Sequence, residues 1–294
     1  MTESRRILLD NQAVSVDRDG DFLRSADGRT IAIKDAIHLA PCEPTKIIAV
    51  HLNYDSRTKE FLTKLPSAPT YFHKPVTALN SHNGDVVRPK RCNWLNYEGE
   101  IVIVIGKKCK DISIEDAPNY IAGYSIGNDF GLHDFRDTDA GSMLRVKGAD
   151  SLAPVGPGLV TDWDFHNKFI RTYVNGVLKQ EDNTKNMEWD MHYLVADIAR
   201  TITLVPGDII FSGTPANSRP VNLGDIVEVE VEGLGKLSNR IVEGHSIREE
   251  VGAQPTESEE VISTALGGDW EFRGIRTPSK DLYPSTVKEA NAHD

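Results

Sequence analysis

The chain has 294 residues, enough for a large core, and carries 33 Lys and Arg against 44 Asp and Glu, a net charge of −11. So acidic a surface repels phosphate backbones and argues against nucleic-acid binding, though a small anionic substrate needs only a few local cations. Three cysteines without CxxC spacing, a polar start (MTESRRILLDNQ) and no apolar run of membrane-spanning length point to a cytoplasmic protein, with no membrane partner and no structural zinc.

In chain order, residues 1 to about 45 alternate short apolar segments with turns at Asp19-Gly20 and Asp27-Gly28. They predict strands at Arg5–Leu9, Ala13–Val16, Phe22–Leu23 and Thr30–Ile33, a small N-terminal β domain. Pro41 and Pro44 mark a linker. The next predicted elements are a strand at Lys46–Val50, a helix over Arg57–Leu65 and a strand at Tyr71–Pro75. Ser113 opens a capping-box pattern for a helix to about Asn119. Further strands are predicted at Tyr120–Ile126, Leu159–Val160, Phe169–Val174, Gly176–Lys179, Ile209–Phe211, Ile226–Glu232 and Leu234–Val242, with a helix over Asp190–Thr203. Residues 131–149 form a long polar loop with a helical turn. Residues 251–294 read as a tail that docks on the core or on a partner subunit, anchored by Trp270 and Phe272.

The stretch with most chemistry is Asn96-Tyr97-Glu98-Gly99-Glu100, which runs into the β-branched residues Ile101 to Ile105. On a strand Glu98 and Glu100 share a face with Val102 and Val104, so two carboxylates meet at the entrance of an apolar element. Buried together they need a partner, and a hard divalent cation such as Mg²⁺, Mn²⁺ or Ca²⁺ supplies one. The competing reading is a strand end that projects both into water. Asp129 follows its own apolar strand and is the natural third ligand, unless it merely forms an Asx turn with Asn128.

These residues carry a resemblance. Asn-Tyr-Glu-Gly-Glu at 96–100, Gly-Asn-Asp-Phe at 127–130, the segment Lys147 to Pro157 and Ser-Gly-Thr-Pro at 212–215 resemble, in order and spacing, the fumarylacetoacetate hydrolase family. The resemblance covers about residues 46–247. It implies a β-rich α+β fold, a mixed β-sheet roll with few helices, over a catalytic domain of residues 46–250. It also implies a divalent metal, usually Mg²⁺, on Glu98, Glu100 and Asp129, a site lysine at Lys147 and a glycine loop at Gly213 and Thr214. Family members form homodimers or larger assemblies and act on 2-oxo or enol carboxylates.

Two departures bear on the reaction. Hydrolytic members carry a histidine after Asn-Tyr with a glutamate three residues later, whereas here Asn53 and Tyr54 are followed by Arg57 and Glu60. Arginine stays protonated and is no general base, but it clamps a carboxylate well. His133 stands where the family often has arginine. The segment His51–Arg57 is most similar to the branch containing 2-hydroxyhepta-2,4-diene-1,7-dioate isomerases. The expectation is a metal-dependent isomerase or decarboxylase of a 2-oxo or 2-hydroxy-diene dicarboxylate. In it Lys147 and Glu60 are catalytic, and Asn53, Tyr54, Arg57, His133, Gly213 and Thr214 bind substrate. An acylpyruvate-type C–C hydrolase, an oxaloacetate decarboxylase and a non-catalytic binding protein are the alternatives.

Overall fold

Five consecutive β-branched residues cannot form one stripe of a helix, and Ile101 to Ile105 build the centre of the strand Gly99–Ile105, buried at every position. The computed structural model describes residues 1–139 and 141–267. Gly99–Ile105 runs antiparallel to Ile121–Asn128 on one side and to Ile209–Phe211 on the other. Ile209–Phe211 lies parallel to Ile47–Val50, which pairs with Tyr71–Lys74 at the sheet edge. In the other direction this twelve-stranded sheet continues through Ala153–Thr161 into Thr2–Leu9, Gln12–Asp19, Phe22–Ser25 and Thr30–Ala32. The predicted lead-in strands are therefore present, with a small core of Ile7, Val16 and Leu23, and hydrogen-bond directly to the large sheet.

A second sheet of five strands runs Val177–Asn183, Phe169–Val174, Ile226–Val231, Gly235–Ser246 and Val86–Lys90. Alternation on Gly99–Ile105 divides the core. Ile101, Ile103 and Ile105 pack with Val229, Leu237 and the helix Met191–Thr201, while Val102 and Val104 pack with Phe130, Val146 and Phe211. Gly99 sits against the second sheet. A Cβ there would strike the Thr172 hydroxyl and lie 3.0 Å from Val229 Cγ1. That close approach accounts for a glycine between two glutamates.

Helices are few and short, as expected of this fold class. The helix Met191–Thr201 is capped by Asp190, whose carboxylate accepts the Tyr193 amide at 2.8 Å. Two expectations need correction. The helix predicted to reach Leu65 spans Asp55–Glu60, because Leu62 turns left-handed (φ +51°) and the Thr63 amide bonds back to the Thr58 carbonyl. The helix predicted from Ser113 is a 3₁₀ turn at Ala117–Tyr120; Pro118 lacks the amide an α-helix needs there. The region after residue 250 contains a helix, Glu259–Leu266, capped by Ser258 and packed through Val261, Ala265 and Leu266 on Trp94. Trp270 and Phe272 lie outside the described residues. Among the described residues no helix is long and apolar enough to cross a membrane.

Candidate metal and substrate site

Strand register gathers the site. Gly99 faces Asn128, Val102 faces Phe211, and Phe211 faces Ala49. Three chain segments therefore leave or enter the sheet at one end: Asn128 into Asp129, Phe211 into Gly213, and Val50 into Asn53. Glu98 and Glu100 enter their strand at that end. The carboxylates of Glu98, Glu100 and Asp129 each offer an oxygen within 4.8 Å of the others, and all three residues are buried. Local hydrogen bonds fix them. The Asn128 side chain accepts the Glu98 amide at 2.7 Å, and the Asp129 amide donates to the Glu98 carbonyl at 2.8 Å. Asn128 thus holds the other carboxylate's backbone.

Two lysines answer the buried charge. Lys147 Nζ, delivered by the helix Leu144–Gly148, lies 2.6 Å from Glu98 Oε2 and 2.9 Å from Asp129 Oδ2. Burial opposes its charge, but Asp129 and Glu98 raise its pKa above the ordinary lysine value. Lys74, wholly buried, donates to Asp129 Oδ1 and to the Leu152 carbonyl at 3.1 Å. Its pKa is lowered, by burial first, with Asp129 opposing. The carboxyl of Asp129 is held below its usual range, because Lys147 and Lys74 outweigh burial. Among the described residues Glu100 has no such cation in contact. Burial, then Asp129 and Glu98, push its pKa well up, and its Oε2 accepts the Gly213 amide at 2.6 Å. Oxygen-rich, crowded and short of positive charge at Glu100, this donor set fits a hard divalent cation.

The glycine loop is braced from both sides. Gly213 has φ +99°, and a Cβ on it would lie 2.7 Å from the Asn53 Cβ, so the position favours glycine. Asn53 donates to the Ser212 and Trp189 carbonyls at 2.8 and 2.9 Å and accepts the Trp189 amide at 2.9 Å. Gln180 donates to Thr214 Oγ1 at 3.1 Å and to the Pro215 carbonyl at 2.8 Å, and accepts the Gly99 amide at 3.3 Å.

In front of the carboxylates lies a cavity lined by Arg57, Glu98, Glu100, His133, Lys147 and Thr214, with further walls from His51, Phe61, Phe72, Arg136 and Thr264. Arg57 Nη2 reaches Glu98 Oε1 at 3.3 Å, and its Nη1 holds Glu60 at 2.6 Å. Glu60 also binds Arg219 at 2.5 Å. Burial would raise its pKa, yet Arg57 and Arg219 prevail and keep it below the ordinary value. His133 is buried with neither ring nitrogen partnered among the described residues, and burial with Lys147 and Arg136 keeps it neutral. Burial likewise lowers His51, to about 4.

Of the residues singled out in the sequence, the structure brings Glu98, Glu100, Asp129, Lys147, Arg57, His133 and Thr214 together, with Glu60 behind Arg57 and Gly213 at Glu100. Asn53 and Tyr54 stand behind the cavity, where Asn53 braces the glycine loop and Tyr54 is wholly buried in the core. Lys74, Arg136, Gln180 and Thr264 were not foreseen. Lys74 had a signal: in Tyr71-Phe72-His73-Lys74 it shares a face with Phe72, and a lysine on a core-facing strand position needs a buried anion.

Comparison with known proteins agrees with this geometry. Residues 46–242 match the family model described as fumarylacetoacetate (FAA) hydrolase, C-terminal. The chain belongs to the fumarylacetoacetate hydrolase family. Its fold is similar to that of 5-carboxymethyl-2-hydroxymuconate delta-isomerase from Mycobacterium smegmatis, with a TM-score of 0.76 and 35% identity over 82% of this chain and 99% of that one. It is also similar to 2-hydroxyhepta-2,4-diene-1,7-dioate isomerase from Mycobacterium marinum, with a TM-score of 0.76 and 34% identity over 83% and 99% of the two chains. The 4-hydroxyphenylacetate degradation bifunctional isomerase/decarboxylase of Escherichia coli is 37% identical over 219 residues. That match spans 74% of this chain and 51% of the E. coli protein. Membership makes the chain an enzyme of a metal-binding family, and the buried acidic triad is where a metal can bind.

Proposed function

We propose that this protein is a Mg²⁺-dependent isomerase or decarboxylase of a 2-oxo or 2-hydroxy-diene dicarboxylate, acting in the breakdown of aromatic compounds. The observation that carries this reading is the distribution of charge. Three carboxylates that can hold a metal share one cavity with Lys147, Arg57 and Arg136, so a divalent ion would leave the cavity cationic. An anion with two carboxylates suits such a site, and the Mycobacterium marinum relative is named for one, 2-hydroxyhepta-2,4-diene-1,7-dioate. Mg²⁺ is the ion we assign, because three carboxylates leave positions for the several waters it keeps; Mn²⁺ and Ca²⁺ accept the same oxygen donors. When bound, the ion would polarise the 2-oxo and carboxylate oxygens and stabilise an enolate.

The remaining steps fall to the chain's own residues. Lys147 keeps its proton and donates a hydrogen bond to the oxygen on which negative charge develops. Arg57 turns from Glu98 toward the second carboxylate of the substrate, which it can grip bidentately. That movement would leave Glu60 held by Arg219 without Arg57. With both arginines beside it Glu60 is a poor base; with Arg57 drawn to the substrate one of the two charges that lower its pKa is gone, and its carboxylate more readily accepts and returns a proton. The Thr214 hydroxyl and the Gly213 loop orient the first carboxylate. By composition and by analogy with its relatives we place the protein in the cytoplasm as a homodimer or larger homo-oligomer. Residues 1–45, 46–250 and 251–294 would serve as lead-in, catalytic domain and docking tail.

The test is the purified protein with 2-hydroxyhepta-2,4-diene-1,7-dioate, followed by diene absorbance and by CO₂ release, with and without Mg²⁺. Absorbance change without CO₂ identifies isomerisation, and CO₂ identifies decarboxylation. A rate no higher than the metal-free blank for both would sink the proposal. Hydrolysis of an acylpyruvate is the second reading, supported by family membership, and would be recognised by release of pyruvate with a second acid. It requires a water-activating base, and Arg57 occupies the position where hydrolytic members carry one.

A further inference from the structure

The helix Glu259–Leu266 lies beyond the segment that matches the family model, residues 46–242. One of its faces is a plain packing face: Val261, Ala265 and Leu266 cover Trp94, and Asn96 Nδ2 donates to the Ala265 carbonyl at 2.8 Å. The helix also lies against the turn His133–Phe135 and the helix Arg136–Asp139. Thr264 lines the same cavity as Glu98, Glu100, Lys147 and Arg57, is 3% exposed, and its hydroxyl has no hydrogen-bond partner among the described residues. His133, across the same cavity lining, is 2% exposed with both ring nitrogens in the same condition. Buried polar groups are nearly always paired, so two unpaired ones on residues that line one cavity mark a place that a ligand or water completes.

The helix is tied to the cavity's charges at both ends. Glu260, one turn before Thr264, lies 3.6 Å from Arg136 Nε, and Arg136 lines the cavity. Beyond Leu266, Gly267 passes so close to Glu60 and Arg219 that a Cβ there would collide with the Glu60 carboxylate and lie 2.7 Å from Arg219 Nη1.

We infer that the Glu259–Leu266 helix forms a wall of the substrate site, and that the Thr264 hydroxyl, with the His133 imidazole, hydrogen-bonds an oxygen of the part of the substrate that the carboxylates and Lys147 do not hold. Thr264 is thus a specificity-determining residue. Its ligand chemistry is a carboxylate or carbonyl oxygen on the longer arm of an oxo acid, which the hydroxyl can meet as donor and the neutral imidazole through its one N–H. The inference rests on the reading of the cavity as a metal-dependent oxo-acid site.

The test compares two probes on the full-length Mg²⁺-loaded protein by calorimetry. Oxalate reports the metal end alone; 2-oxoheptanedioate adds the longer arm and a second carboxylate. In Thr264→Val, a near-isosteric change that removes the hydroxyl, the preference for 2-oxoheptanedioate over oxalate should fall about tenfold, the scale of one lost hydrogen bond to a charged oxygen. Thr264→Ser, which keeps the hydroxyl, should restore most of it, and the exposed Glu259→Gln on the same helix should leave the preference at the parent value. A preference unchanged in Thr264→Val, or lost equally in Thr264→Val and Thr264→Ser, would overturn the assignment and leave Thr264 as packing. If the parent fails to bind oxalate with Mg²⁺ present, the reading of the site itself falls, and the inference with it.

Discussion

Lys147 and Lys74 touch the same aspartate, Asp129, yet differ in what they face. Lys147 lines the cavity and bridges Glu98 and Asp129, whereas Lys74 is wholly buried behind Asp129 and also bonds the Leu152 carbonyl. A cation at the cavity can follow charge onto the substrate; a cation behind the ligand can only position it. Lys147→Met should therefore lower kcat by about 10²- to 10³-fold with a smaller change in KM, the pattern of an interaction made mainly in the transition state. Steady-state kinetics on the dienedioate checks this. Lys74→Met leaves a buried carboxylate short of a partner, and losing one member of a buried pair costs about 3–5 kcal/mol. Its mark should be a lowered melting temperature. Glu100 supplies a second test at this scale. Crowded by Asp129 and Glu98 and, among the described residues, without a cation in contact, it should gain most from a divalent ion. Mg²⁺ should raise the melting temperature of the parent, EDTA should reverse that, and Glu100→Gln should weaken the response, as thermal shift against Mg²⁺ concentration will show.

Elements explain why some of the site was legible in the sequence and some was not. The Glu98 strand and the Asp129 turn announce themselves because ligand, glycine and apolar run fall within a few residues of one another. Local order of that kind survives in a string. Arg136, on the short helix Arg136–Asp139, and Thr264, on the helix Glu259–Leu266, have no such setting, since each reaches the cavity only through the tertiary fold. The Ser258 cap and the spacing of Val261, Ala265 and Leu266 were present in the sequence, but the surrounding polar and proline-bearing stretch masked an eight-residue helix. Asn53 shows a third case. Its motif pointed to the site, while its three hydrogen bonds to Ser212 and Trp189 make it the brace of the Gly213 loop. Asn53→Ala should then cost about 2–4 kcal/mol, because it leaves several buried backbone groups unpaired. It should also loosen the loop. Denaturant unfolding gives the first effect, and faster hydrogen exchange at residues 212–216 gives the second.

At the scale of the whole molecule, the lead-in and the two sheets meet at a pair of histidines. His38 belongs to the strand Ile37–Leu39, which pairs with Thr2–Leu9, and its ring stands edge-on to that of His82 at 4.9 Å. His82 Nδ1 accepts the amide of Ser238 from the second sheet at 3.1 Å, so the ring must be neutral with its proton on Nε2. The surroundings reinforce this. Burial, His38 and Arg5 lower His82 to about 3, and burial and Arg5 lower His38, with the Ile33 carbonyl and Glu3 opposing. The sign follows from which state binds protons. Between the unfolded value near 6.5 and the folded value near 3, the unfolded chain is the more protonated. Stability is therefore complete above about pH 6.5 and falls as pH drops below it, by up to about 2 kcal/mol from His82 alone between pH 7 and pH 5. His82→Gln would remove most of that slope while its side-chain oxygen still accepts from Ser238. Chemical denaturation at pH 7 and pH 5 should show the parent losing more stability than the variant. Equal losses would place the acid sensitivity elsewhere in the fold.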